Sequence, residues 1–211
     1  EETAVADAVG LTTGTGPVME INQTVSVGEN GVIQEGQIVK YTFSIKNAGN
    51  TDIENLKVKY LLPDYSVYGE FVEPGSMGPQ ESVFMEIETQ VDEETGKNYT
   101  EFDIGTVAPG ETIEKELLVK FNELPSIADY YADQEGFFYD ETSGKYYILV
   151  QNPDGTYTET EVTSVPDVYA VSTLKITATD LELKTVEGKP NKVEKVVLLV
   201  SEKSSKAENV A

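Results

Sequence analysis

The most constraining stretch of this chain is Val39-Lys40-Tyr41-Thr42-Phe43-Ser44-Ile45-Lys46. Val39, Tyr41, Phe43 and Ile45 take one parity, and Lys40, Thr42, Ser44 and Lys46 take the other. Side chains of a strand point alternately to its two faces, so this period of two predicts a strand half in a core and half in water. The same rhythm recurs along the chain. Leu56, Val58 and Tyr60 alternate with Lys57 and Lys59, and Pro63, which has no N–H for a ladder, ends that strand. Val83, Met85, Ile87 and Val91 alternate with Glu86, Glu88 and Gln90, which assigns the first four to an inward face. Ile113 to Phe121 turns Leu117, Val119 and Phe121 inward. Leu174, Ile176 and Ala178 mark another strand, and Val193 to Val200 a last one. The expected core therefore contains Val39, Tyr41, Phe43, Ile45, Leu56, Val58, Leu117, Val119, Phe121 and Ile176.

Short strands joined by Gly, Pro and Asn turns, with one short helix signal, predict an all-β chain: an antiparallel sandwich of seven to nine core strands, rather than a barrel. Residues 1–16 are small and polar and read as a flexible lead-in, and 201–211 as a tail or linker. The sandwich is expected over 17–124 and 169–200. Between those parts, 125–168 turns acidic and tyrosine-rich. Ser126-Ile127-Ala128-Asp129 reads as a capping box that opens a short helix. Phe137 to Tyr139, Tyr146 to Val150 and Tyr157 to Val162 read as a three-strand meander, with turns at Glu141-Thr142-Ser143-Gly144 and Asn152-Pro153-Asp154-Gly155. The segment is expected as a small α+β insertion in one sandwich, a separate small domain being the alternative.

Composition narrows the chemistry. Thirty-eight acids stand against fifteen bases, a formal charge of −23 at pH 7. Nucleic acids and anionic membrane surfaces are bound mainly through Lys and Arg, so neither is an expected partner. The chain has no Cys, His or Trp, and all fifteen bases are Lys. Disulfides, thiolate nucleophiles, zinc–sulfur sites, the commonest general base and bidentate guanidinium clamps are thereby excluded. No run of eighteen apolar residues is present, so no spanning helix or direct membrane insertion is expected. The polar start, Glu1 to Ala8, reads either as a chain already released from an export signal or as a cut at a domain edge.

No constellation points to catalysis, and no cofactor is expected. With this many acids, carboxylate pairs carry little information about glycoside hydrolysis. Ser172 and Lys175 have Ser-Lys dyad spacing, but on a strand they face opposite ways. Asp64 to Glu70, and the group Asp129, Asp133, Glu135, Asp140 and Glu141, offer oxygens for calcium without the spacing of an EF-hand loop. Alternation places Lys40 and Lys46 on the polar face, away from a buried Lys–Asn crosslink with Asn47, Asn55 or Asn191. The sequons at Asn22 and Asn98 carry little weight.

Two motifs carry a family resemblance. The first is Val39 to Lys46 with Asn47-Ala48-Gly49-Asn50-Thr51, followed by Asn55-Leu56-Lys57-Val58-Lys59-Tyr60 and Leu62-Pro63-Asp64. The second is Phe102-Asp103-Ile104-Gly105-Thr106-Val107-Ala108-Pro109-Gly110-Glu111-Thr112. Together they resemble the conserved repeat domain of bacterial surface proteins, a domain of unknown function, and more loosely the bacterial adhesion-related domains. The resemblance covers about half the chain and implies an immunoglobulin-like antiparallel β-sandwich. It further implies an extracellular, cell-surface-associated, non-catalytic structural or adhesive module with a protein or glycan partner. In both motifs the Asn and Gly residues are expected to supply positive-φ turn positions. Insertion 125–168 departs from the family's compact repeat.

Tyr130, Tyr131, Tyr139, Tyr146, Tyr147 and Tyr157 of the insertion are the candidate binding residues, since tyrosine offers rigid amphipathic contact at low entropic cost. Two readings stand: the rings present a binding face, or they pack a second small core. A carbohydrate-binding accessory or solute-binding module of a secreted hydrolase is the alternative function, and as this fragment the chain is expected to be monomeric. The charge makes the first prediction. Uncompensated negative charges repel one another in the compact state, so the melting temperature should rise from 10 mM to 500 mM NaCl, and a salt-independent melt contradicts this.

Overall fold

The computed structural model describes residues 3–11, 17–73 and 82–196, the first of these by its backbone alone. In chain order the strands begin with β1 (Thr3–Leu11), β2 (Met19–Val27), β3 (Ile33–Gln34), β4 (Ile38–Asn47), β5 (Ile53–Leu61) and β6 (Ser66–Val72). Next come β7 (Val83–Glu86), β8 (Gln90–Val91), β9 (Asn98–Val107) and β10 (Thr112–Phe121). Helix α1 (Ile127–Tyr130) precedes β11 (Phe137–Asp140), β12 (Lys145–Gln151) and β13 (Tyr157–Val162). The chain then forms β14 (Val168–Ala170), β15 (Thr173–Ala178), β16 (Leu181–Glu187) and β17 (Asn191–Glu194).

One sheet runs β1-β2-β4-β10-β6-β7 and a second runs β16-β15-β5-β9-β8. Both are antiparallel throughout. A small third sheet, β14-β17-β3, contains a parallel pair, β17 with β3. Among the described residues the protein is all-β apart from α1, and its two large sheets pack face to face as a sandwich. From one side come Ile21 and Val25 of β2, Val39 to Ile45 of β4 and Leu117 to Phe121 of β10. From the other come Leu56, Val58 and Tyr60 of β5 with Leu174 and Ile176 of β15, in one continuous core. Phe43 of β4 stacks on Tyr60 of β5 at 5.9 Å and meets Phe102 of β9 edge-on at 5.5 Å, so rings from both sheets interlock at its centre.

All ten residues expected in the core are buried, while Lys40 is exposed and Thr42 half-buried. The register was therefore fixed by alternation alone. Other expectations are corrected. Thr3–Leu11, within the supposed lead-in, pairs with β2 as an edge strand. The two large sheets hold eleven strands, more than expected, because this edge strand and the short β6, β7 and β8 join them. Val83, Met85 and Val91 are 56%, 47% and 59% exposed. Both strands, β7 and β8, lie at sheet edges, and in β7 the half-buried residue is Phe84, of the other parity, whose ring packs against Phe71. The last strand runs only from Asn191 to Glu194: Lys195 and Val196, expected within it, are not strand, and 197–200 lie outside the described residues, as does the tail at 201–211.

The two motifs meet at one end of the sandwich. Asn47, the last residue of β4, is 1% exposed. Its Nδ2 donates to the Val107 carbonyl at the end of β9 and to the Thr51 carbonyl ahead of β5, each at 2.8 Å. Its Oδ1 accepts from the Gly49 N–H at 3.0 Å. The Gly110 N–H donates to the Asn47 carbonyl at 2.8 Å, and the Asn47 N–H donates to the Glu111 carbonyl at 2.9 Å. Positive φ is needed at Asn55, Gly105 and Gly110, but not at Asn47, Gly49 or Asn50. Asn47 acts instead through its carboxamide, which ties an end of the first sheet to an end of the second.

Removing that carboxamide strands the buried Val107 carbonyl and the part-buried Thr51 carbonyl. Asn47→Ala should lower the unfolding free energy by about 2–3 kcal/mol. Asn47→Asp should cost at least as much, because a carboxylate oxygen would then face the carbonyls. Urea unfolding checks this, with Lys46→Ala as the near-neutral surface control.

Candidate functional site

The insertion folds as an arm with its own sheet. Ser126 caps α1: its Oγ accepts from the Asp129 N–H at 3.1 Å and donates to the Asp129 carboxylate at 2.6 Å. After Gly136, at φ +81°, the chain enters the three-stranded sheet β11-β12-β13. Asp140 organises the first turn, accepting from the Thr142 and Ser143 N–H groups at 3.0 and 3.3 Å and from Ser143 Oγ at 2.6 Å. Those bonds, Ser143 hydroxyl first, hold its carboxyl below the usual range. Asp154 does the same in the second turn through Thr156, and its carboxyl is lowered likewise. Asp129, Asp140 and Asp154 are thus committed to local structure. Among the described residues no three acidic side chains converge on a point able to hold a metal ion.

The six candidate tyrosines lie on this arm but not on one surface. Cross-strand neighbours share a face, and the pairs Phe137–Ile148, Tyr139–Tyr146 and Tyr146–Val162 define the first. The pairs Phe138–Tyr147, Tyr147–Glu161 and Gln151–Tyr157 define the other. Tyr139 and Tyr146 therefore oppose Tyr147 and Tyr157. Tyr131 joins the first face by stacking on Phe137 at 5.6 Å, and Tyr130 packs edge-on against Tyr131 at 4.8 Å. Phe137 stacks on Tyr146 at 5.5 Å, and Tyr146 meets Tyr139 at 5.0 Å. The result is an unbroken row of five rings. On the opposite face only Phe138 and Tyr147 stack, at 5.6 Å.

Tyr130, Tyr139 and Tyr157 are 45%, 51% and 63% exposed, and Tyr131, Tyr146 and Tyr147 are half-buried. No residue from Pro125 to Tyr169 is fully buried. The rings shelter one another without closing a core.

A second feature lies on the outer face of the sheet β16-β15-β5-β9-β8. Ser172 and Lys175 point to opposite faces, as a strand requires. Ser172 turns inward and donates to Gln23 Oε1 at 2.8 Å, and Gln23 donates to the Val186 carbonyl at 3.1 Å. Lys175 turns outward yet is only 9% exposed, because the β8–β9 turn folds over it. Its ammonium lies 2.8 Å from Glu94 and 3.3 Å from Asp92. Grooves of 390 and 240 Å³ flank this bridge; Glu94, Lys175 and Leu183 line both. The hydrogen bond to Glu94, and then Asp92, raises the Lys175 pKa despite burial. The Thr95 hydroxyl, bonded at 2.7 Å, is the main cause of the lowered Asp92 pKa, with Lys175 adding to it. Alternation placed Lys175 on the polar face; it carried no sign that a distant turn would cover it.

No family model matches this chain, and no curated protein matches it. Among solved structures, AvmM, which catalyses macrocyclization in alchivemycin A biosynthesis, aligns at 9% identity and a TM-score of 0.34, covering 88% of this chain and 96% of that one. A mutant β-glucosidase from Listeria innocua in complex with laminaribiose aligns at 12% identity and a TM-score of 0.30, covering 85% of this chain and 17% of that one. Scores this low do not define a shared fold.

The Lys175 bridge makes a two-sided pH prediction. Asp92, with its pKa lowered in the folded state, stabilises the fold above the ordinary value of 3.8 and loses that contribution as pH falls below it. Lys175, with its pKa raised, stabilises below the ordinary 10.5 and loses that contribution as pH rises above its folded value. Lys175→Met should therefore be less stable than the parent near neutral pH, with the gap closing at both extremes. A gap independent of pH in chemical denaturation contradicts this assignment.

Proposed function

We propose that this chain is a non-catalytic structural or adhesive module of a bacterial cell-surface protein. In this reading it is an immunoglobulin-like sandwich whose arm binds a protein or glycan partner. The observation that carries the proposal is the arm itself: a long, aromatic-rich insertion on a well-packed scaffold, with none of its six candidate tyrosines buried. Rings that served only as a second core would be closed off from water, since their burial is what would stabilise such a core. Specificity placed on a segment grafted to a rigid framework is the usual division of labour in binding modules.

Three further points support the reading. The two motifs that resemble the surface-repeat family lie against each other through Asn47 and do structural work. The composition lacks His, Cys and Arg, which removes thiolate nucleophiles, the commonest general base and bidentate guanidinium clamps. The strong negative charge suits a protein exposed to solvent and opposes nucleic acid.

Two experiments test this. An antibody against the arm should label intact cells that produce the full-length protein, and labelling only after lysis overturns the surface assignment. Replacing 126–163 by a short Gly-Ser linker should leave a cooperative melt of the sandwich. Loss of that melt makes the arm scaffold rather than binding element.

A further inference from the structure

We propose, resting on the reading of the arm as the binding element, that its partner is a basic peptide segment with apolar side chains among its lysines or arginines. It docks on the arm face that carries Tyr139, Tyr146 and Val150, not on the face that carries Tyr147 and Tyr157.

The two faces differ in charge. The three strands contain four charged residues, Asp140, Lys145, Glu159 and Glu161. By register all four lie on the face of Tyr147. The opposite face has none; its positions are aromatic, aliphatic or threonine, and Tyr139 and Val150 on it remain 51% and 50% exposed. An uncharged, half-open sheet face on so acidic a chain is the distinctive surface of the arm, and such patches mark contact sites.

Ring orientation separates a peptide from a sugar. A sugar that stacks on an aromatic ring lays its C–H hydrogens on the ring face. Here the rings lie against each other: Tyr131 to Phe137 at 27° between planes, and Phe137 to Tyr146 at 10°. Tyr131, Phe137 and Tyr146 therefore turn ring faces to one another within the row, which leaves less open ring face for a saccharide platform.

Charge fixes the sign of the partner. Residues 125–168 contain nine acids (Asp129, Asp133, Glu135, Asp140, Glu141, Asp154, Glu159, Glu161 and Asp167) against Lys145 alone. Asp133 and Glu135 precede β11 and Glu141 follows it, at the two ends of an edge strand. An uncharged face on so acidic an arm is complementary to apolar residues flanked by cations. The same charge opposes a second copy of the chain. Three strands spaced about 4.8 Å apart make a face roughly 10 Å across, the width of one extended or helical segment rather than of a globular surface.

The test selects ligands without presupposing one. Phage-displayed random 12-residue peptides are selected on the intact chain, and the enriched peptide is then titrated against variants, with a glycan array run in parallel. The expected result is enrichment of Lys or Arg among apolar residues. Tyr139→Ser with Val150→Ser should weaken binding at least about tenfold, the effect of one well-placed contact residue. Leu149→Ser with Tyr157→Ser should leave it within about twofold. Affinity should also fall as NaCl rises from 50 to 500 mM. These positions are exposed, and unchanged melting temperatures confirm that both variants fold. Binding lost only in the second variant overturns the face assignment. A positive glycan array with no selected peptide overturns the peptide assignment while leaving the arm as the binding element. Silence in both screens overturns both. Salt-induced dimers blocked by Tyr139→Ser identify the occupant as a second copy and overturn the proposal.

Discussion

The Asn47 carboxamide is the constraint on which the rest of this molecule depends. A sandwich is held in its interior by non-directional burial, which tolerates sliding of one sheet over the other. Directional bonds at an edge remove that freedom. Asn47 closes β4, and its side chain reaches the final carbonyl of β9 and the approach to β5, so it fixes the relative position of three strands in two sheets. The Gln23–Ser172 hydrogen bond forms a second such tie deep in the core, from β2 to the segment that leads into β15. The rings of Phe43, Tyr60 and Phe102 interlock across the sheets between them.

With register fixed, the outer surfaces are free to vary, and they do so in different ways. The second sheet shelters a lysine beneath a turn that supplies two carboxylates, a local neutralisation within a strongly acidic protein. Glu94 in that bridge has a side chain 79% exposed, so its contribution is weakened by solvent, and Asp92, at 8%, is the stronger anchor. The arm takes the other course. Three of its acids organise a helix cap and two turns, while its rings lean on each other and stay reachable.

What was legible in the sequence follows from what is local. Alternation in Val39–Ile45 and Leu117–Phe121 assigned faces correctly, since the parity of a strand is a property of the strand itself. At Val83 and Met85 the alternation is interrupted by Phe84, which is the half-buried residue of β7, and the position of β7 at the sheet edge is not written in its residues. The capping of α1 by Ser126 and the turns at Asp140 and Asp154 were readable, because each closes within a few residues. The roles of Asn47 and Lys175 were not, because their partners lie about 60 and 80 residues away in the chain. Adjacent tyrosines at 146 and 147 had to diverge, but assigning Tyr139 and Tyr157 to faces required the cross-strand register, and placing Tyr130 and Tyr131 required the ring contacts.

The arm leaves the sandwich after Leu124 and returns at Val165 to Val168, and these two points line the walls of one small groove beside β17. Departure and return at a single point mean that the rest of the fold registers only a closed loop, whatever its length or content, and loop length adds to the cost of closure only logarithmically. The attachment is in effect a socket. A foreign hairpin grafted at this point would meet a scaffold already suited to hold it.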